Sequence, residues 1–312
     1  MFANVIAQVV LLINGANALS SVPTTSALSQ GSERIEVAQL NKQVGLPASF
    51  LKYQNDAANQ ADLDKPATST GRAPSLIPGS LSTQSNQVFN KELVEKISSL
   101  ADTGNPDAQY ILGLLYYYGL GVCQDYTQSA SLYTQASAGG SVEAMNNLAQ
   151  LYDAGSGVKR DPKMAVQYFE QAANKGFALA AYNLGTLYQG EEGVTPDLKR
   201  AIFWWRKAAH ESNLPAIFKL ACSYQIGLGV DKDVKQAVVL FEKAASSDFG
   251  PAQFKLAEIY ENGDGLPKNL SEAARLYLKA AMAGSPEALK KLQVMDFSPL
   301  IQIGANPNKP SM

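Results

Sequence analysis

The sequence predicts an all-α protein, a right-handed α/α superhelical solenoid of helix-turn-helix units with a 36-residue period. Three observations carry this expectation. Ala108, Ala144, Ala180, Ala216, Ala252 and Ala288 recur every 36 residues without a gap. A leucine stands four residues after each (Leu112, Leu148, Leu184, Leu220, Leu256, Leu292), and a tyrosine column follows at Tyr116, Tyr152, Tyr188, Tyr224 and Tyr260. A hinge then follows within each unit, at Gly121-Val122, Gly157-Val158, Gly193-Val194, Gly229-Val230 and Gly265-Leu266. Repetition at this period marks stacked helical hairpins, each burying its apolar face only against neighbours.

Each unit reads as two helices. In the first, Ala108, Leu112, Leu115 and Tyr116 share one stripe by the i, i+4, i+7, i+8 rule. The glycines stop it, because glycine takes the left-handed backbone that a tight exit requires. The stretch YYYGLGV at 116–122 resembles a phosphate-cradling loop, yet its recurrence in every unit makes it a hinge. Asp125, Asp161, Asp197, Asp233 and Asn269 are the N-caps of the second helix. Gln128, Gln236 and Glu272, three residues on, complete a capping-box pattern in three of the five.

The second helix carries Ala165, Ala201, Ala237 and Ala273, then bulky pairs such as Trp204-Trp205, then paired alanines such as Ala244-Ala245. Gly140, Gly176 and Gly284 end it, with Ser212 and Asp248 at the equivalent places. The five full units are 108–143, 144–179, 180–215, 216–251 and 252–287. Lys91–Thr103 reads as an amino-terminal cap and Pro286–Val294 as a carboxyl-terminal one, giving a solenoid over 89–300 of about twelve helices.

The flanks differ in character. The first 32 residues hold no charge, and the apolar run 5–13 precedes Ala16-Asn17-Ala18, the pattern of a cleaved signal over 1–18. The expectation is an exported protein, periplasmic or secreted. The absence of Lys or Arg ahead of the run leaves a cytoplasmic protein with an apolar helix as the alternative. The run is shorter than the roughly 20 residues a bilayer span needs. Residues 19–88, rich in Ser, Thr, Gln, Asn, Ala and Pro, are read as a disordered linker, and 301–312 as a flexible tail.

The repeating pattern A-x-x-x-L-G-x-x-Y-x-x-G-x-G-V-x-x-D-x-x-x-A, followed by a bulky pair and K-A-A, resembles the Sel-one-like repeat (SLR) family, a relative of the tetratricopeptide repeat. YDAGSGVKRDPKMAVQYFEQAA (152–173) and YQIGLGVDKDVKQAVVLFEKAA (224–245) carry the likeness. Departures are local: Glu191 replaces a hinge glycine, and Ser129 replaces an alanine. The resemblance implies an adaptor without enzymatic activity, of the kind found in signalling, envelope assembly, protein quality control and bacterial contact with host cells. Some family members carry a disulfide in each repeat; this chain lacks those cysteines.

Composition narrows the chemistry. A formal net charge of −2 on 312 residues, with no basic stripe visible along the chain, argues against a nucleic-acid partner. Cys123 and Cys222 lie nearly three repeats apart, which at about 8–10 Å per helix packing exceeds disulfide reach. His210 has no nearby Cys or paired carboxylate and reads as a surface residue. No metal cluster, phosphate-loop lysine or nucleophile elbow is present, so neither metal nor cofactor is expected.

In tetratricopeptide-like stacks the first helices line the concave side. The expected partner-binding groove is therefore Tyr110, Leu114 and Tyr117; Asn146, Gln150 and Asp153; Tyr182, Thr186 and Gln189; Phe218, Cys222 and Gln225; Phe254, Glu258 and Glu261. Aromatics would supply contact area and amides would bond a peptide backbone. The competing reading is that Tyr182, Phe218 and Phe254 pack between helices. A glycan- or peptidoglycan-binding envelope protein is the alternative function, and a hydrolase a further one.

Overall fold

The computed structural model describes residues 91–190 and 192–295. The expectations for a signal at 1–18, a linker at 19–88 and a tail at 301–312 lie outside them. The described residues form twelve helices and fall into two compact units. The first comprises residues 91–180 and 192–195, the second 181–190 and 196–295.

The first unit contains α1 (Lys91–Asp102), α2 (Pro106–Tyr118), α3 (Tyr126–Ala138), α4 (Val142–Ala154) and α5 (Pro162–Asn174). Helix α6 (Ala178–Gly190) enters the second unit at Ala181. There it is followed by α7 (Leu198–His210), α8 (Leu214–Ile226), α9 (Val234–Ser246), α10 (Gly250–Asn262), α11 (Leu270–Met282) and α12 (Pro286–Val294). Within each unit successive helices pack on one another, more extensively inside a repeat than across its boundary.

The alanine column makes this packing close. Ala108, Ala144, Ala180, Ala216, Ala252 and Ala288 are all fully buried, as are Ala165, Ala201, Ala237 and Ala273 on the second helices. A methyl group is the largest side chain that lets two helix backbones approach so closely. Bulk enters at a different column, where Tyr133, Phe169, Trp205, Phe241 and Tyr277 are buried. A Cβ on Gly113 would lie 2.6 Å from the Tyr133 ring, and one on Gly185 2.5 Å from Trp205.

The hinge is held by a recurring bond. The backbone N–H of Asp125, Asp161, Asp197, Asp233 and Asn269 donates to the carbonyl of Tyr116, Tyr152, Tyr188, Tyr224 and Tyr260 at 2.8–2.9 Å. Those Asp and Asn side chains cap the second helix as expected; Asp125 Oδ1, for example, accepts from the Thr127 and Gln128 amides at 2.8 and 3.0 Å. The capping box is only half made. Because the tyrosine carbonyl takes the N-cap N–H, Gln128, Gln236 and Glu272 are not needed there, and Glu272 instead pairs with Arg275. A second capping column serves the first helices: Asn105, Ser141, Asn213 and Ser285 accept from the amides of Ala108, Ala144, Ala216 and Ala288 at 2.9–3.2 Å.

The second hinge glycine has a steric role as well. A Cβ on Gly157 (φ 69°) would fall 2.2 Å from the Tyr126 backbone carbonyl carbon, where α3 of the preceding repeat begins. Cβ atoms on Gly193, Gly229 and Gly265 would meet Pro162, Leu198 and Val234 at 2.6, 2.9 and 2.4 Å. Each hinge is seated on the start of the previous second helix.

Candidate functional site

The first helices bury more of their residues than the second helices beside them yet still reach solvent, so the expected groove splits by column. At its first place the aromatics are committed to the core. Tyr110 lies against Tyr133 with ring centroids 5.9 Å apart. Phe218, 8% exposed, sits between Phe241 and Phe249 at 5.7 and 5.8 Å, and Phe254 rests on Tyr277 at 5.4 Å. Asn146, 2% exposed, is equally enclosed and donates to Asn147 Oδ1. Tyr182 is half-buried, and its backbone carbonyl accepts from Trp205 Nε1 at 3.3 Å and Thr186 Oγ1 at 3.1 Å. For Phe218, Phe254 and Tyr110 the packing reading prevails over the groove, because each ring finds its partner on the second helix of its own repeat.

Leu114 is likewise removed from the candidate surface, being 1% exposed. The rest of its column and the whole third column reach solvent: Gln150 is exposed, while Thr186, Cys222, Glu258, Tyr117, Asp153, Gln189, Gln225 and Glu261 are half-buried. In the first unit this leaves Tyr117, Gln150 and Asp153. Tyr117 packs edge-on to Tyr118 and Tyr126, at 4.8 and 5.2 Å. Burial raises the phenols of Tyr110, Tyr117 and Tyr118, the last to about 12, so all three remain neutral donors and acceptors.

In the second unit a neighbouring column, one residue after the first place, carries lysines that the groove assignment missed. Lys219 Nζ approaches Gln189 Oε1 at 3.5 Å, Lys255 pairs with Glu258 at 2.9 Å, and Lys291 pairs with Glu261 at 2.8 Å. Their 36-residue spacing was readable in the sequence. Burial by itself would raise the Glu261 carboxyl. Hydrogen bonds from Lys291 and from the Tyr277 hydroxyl, the latter at 2.6 Å, outweigh it and hold the carboxyl below the ordinary range.

Chemistry elsewhere is sparse. His210 is exposed beside Glu211, with Nδ1 3.1 Å from Oε1. Neither Cys123 nor Cys222 is in a disulfide. Among the described residues no group of three or more His, Cys, Asp or Glu is placed to hold a metal ion. No described helix is long and apolar enough to cross a membrane.

Known proteins match this architecture. The chain is similar to a protective antigen present in uropathogenic Escherichia coli strains that displays an SLR fold. Identity is 30% and the TM-score 0.63 over 74% of this chain, which spans only half of that antigen. It is also similar to a Sel1 repeat protein from Oxalobacter formigenes, with 28% identity and a TM-score of 0.60 over 67% of this chain and 88% of that one. No curated protein matches. Proteins of this repeat class are generally non-catalytic and commonly act as protein-interaction scaffolds. The Sel1 repeat signature matches residues 106–141, 142–177, 178–213, 214–249 and 250–285, more than half of the sequence, and the chain belongs to the Sel1 repeat family.

Proposed function

We propose that this protein is a non-enzymatic scaffold that holds a segment of a partner protein against its first-helix face. The carrying observation is the solvent-reaching polar set left once the core aromatics are removed: Gln150 and Asp153 in the first unit, and Gln189, Gln225, Glu258 and Glu261 in the second. In the second unit each repeat supplies at least one of them, whereas in the first unit both come from the second repeat. Neighbouring helices pack about 8–10 Å apart, close to three residues of extended chain at about 3.3 Å each. Amides at that spacing bond to a peptide backbone with little regard to its sequence, while glutamates and lysines add selectivity.

Replacing Tyr110, Tyr182 and Phe218 is a poor test, because Phe218 belongs to the core. A photo-crosslinking residue at Gln150, and separately at Gln225, tests the reading directly. Both should label the partner, while the same probe at Ser131 or Gln236 on second helices should not. Labelling only from the second-helix positions would show that the partner lies elsewhere. Retention of a protein-free sugar polymer by the same face would favour the glycan alternative.

A further inference from the structure

The outer face of α7 differs from every other second helix. Its sequence, LKRAIFWWRKAAH, contains four Lys and Arg and no acid. At about 100° per residue, Lys199, Arg200, Phe203, Arg206, Lys207 and His210 fall within an arc of about 120°. All but the half-buried Lys207 are exposed, with Phe203 at 59% in the middle. The same columns on α3 are Thr127, Gln128, Ser131, Thr134, Gln135 and Ala138, which are neutral throughout. One repeat further on, α9 repeats the α7 arrangement in weaker form, with Val239 56% exposed between Lys235 and Lys243 and with Glu242 as its one acid.

The cations are braced. Arg206 donates to the Tyr224 hydroxyl at 2.8 Å, and Lys207 lies 5.0 Å over the Trp204 ring. Arg200 donates to the Tyr188 hydroxyl at 3.2 Å and pairs with Asp197 at 3.4 Å. Acids stand only at the two ends of the helix, as Asp197 and Glu211. Preset side chains lose less rotamer freedom when they meet a partner.

We infer that this face docks the protein onto an anionic lipid surface. Cations ringing an exposed phenyl suit a phospholipid interface, where phosphates meet the Lys and Arg and the ring sits at headgroup depth. A nucleic-acid backbone makes use of the charges but leaves Phe203 without a purpose. An acidic peptide gains most from a groove, whereas the outside of one helix is a rounded surface that a fluid, planar target meets without shape matching. The second unit would then meet the bilayer by α7 and keep its first helices for protein.

The experiment is flotation of the full chain with phosphatidylcholine vesicles, with and without phosphatidylglycerol, at low and raised salt. The two tryptophans of the chain, Trp204 and Trp205, are buried off this face, so Phe203→Trp is used to place an exposed fluorophore on it for quenching by brominated lipid. The expected result is binding to anionic vesicles only, weakened by salt, with quenching in the Phe203→Trp variant. Lys199→Glu with Lys207→Glu should weaken binding about tenfold or more, since each cation near the surface contributes appreciably. Phe203→Ser should weaken it several-fold, with circular dichroism unchanged for both variants. Wild-type binding by both variants, binding without quenching, or no vesicle binding at all would overturn the inference. Retention by polyglutamate or duplex DNA in place of vesicles would also overturn it and reassign the face.

Discussion

In the first repeat Gly113 faces Tyr133, and in the third Gly185 faces Trp205; in both, a ring occupies the space a Cβ would need. The second and fourth repeats carry alanine in the glycine's column, Ala149 and Ala221, with the smaller Phe169 and Phe241 in the ring's. In the fifth, Ala257 accompanies Tyr277, whose hydroxyl donates to Glu261. Inside, then, the first and third repeats solve one steric problem in the same way. Outside they part, with hydroxyls and amides on α3 and cations around a phenyl on α7. A fixed spacing between helices makes the interior columns answer to one another in size. No such demand reaches the outer face, which is where repeats specialise.

The shared interior should break most severely at Gly157. Gly157→Ala meets both a left-handed backbone, costing about 1–2 kcal/mol, and immovable backbone atoms of Tyr126, costing about 1–3 more. Gly176, at φ 92°, has no atom within 4 Å of an added Cβ, so Gly176→Ala should cost only the backbone's share, about 1–2 kcal/mol. Equal losses in urea denaturation would show that backbone conformation alone, and not the seat on α3, sets the hinge.

Gly185→Ala comes next. Overpacking against Trp205 costs about 1–3 kcal/mol, set against roughly 1 gained in helix propensity, so a net loss of about 1 is expected. Trp205→Phe in that background should show a non-zero coupling in a double-mutant cycle; simple additivity would mean that the ring and the glycine are independent.

A stabilising change of similar size is expected in the first repeat alone. Ser137 stands where other repeats carry alanine, and its Oγ is buried without a hydrogen-bond partner. Ser137→Ala should therefore add about 1 kcal/mol to the unfolding free energy; a loss would mean the hydroxyl is satisfied by water.

The smallest effect belongs to the third repeat. Ser212 holds φ 59° at the place where Gly140, Gly176 and Gly284 end other helices. Ser212→Gly should raise thermal stability by about 0.5–1 kcal/mol as the side-chain strain is relieved. An unchanged melting temperature would show that serine tolerates the left-handed backbone here.

Much of this was readable from spacing. The alanine columns, the capping Asp125, Asp161, Asp197, Asp233 and Asn269, and the hinge glycines follow from period and residue chemistry, and the structure places them as expected. The candidate face was legible only in part. Periodicity tells which residues share a column but not what lies above it. A first helix is covered on several sides, so Leu114, Asn146 and Phe218 looked outward on a single-helix wheel and are enclosed. The α7 face escaped notice for a different reason: a chain-wide balance of 26 basic and 28 acidic residues conceals a local excess that appears only when one helix is rolled out.

The seating of Gly157 on Tyr126, repeated at Gly193, Gly229 and Gly265, bears on how such a chain can change length over evolutionary time. A duplication or deletion of one whole period delivers every hinge to a fresh helix start of the right shape. Any other indel inside the array strands a glycine over the wrong atoms. Growth is therefore quantised, and the natural unit of heredity here is the hairpin together with the socket it offers its successor.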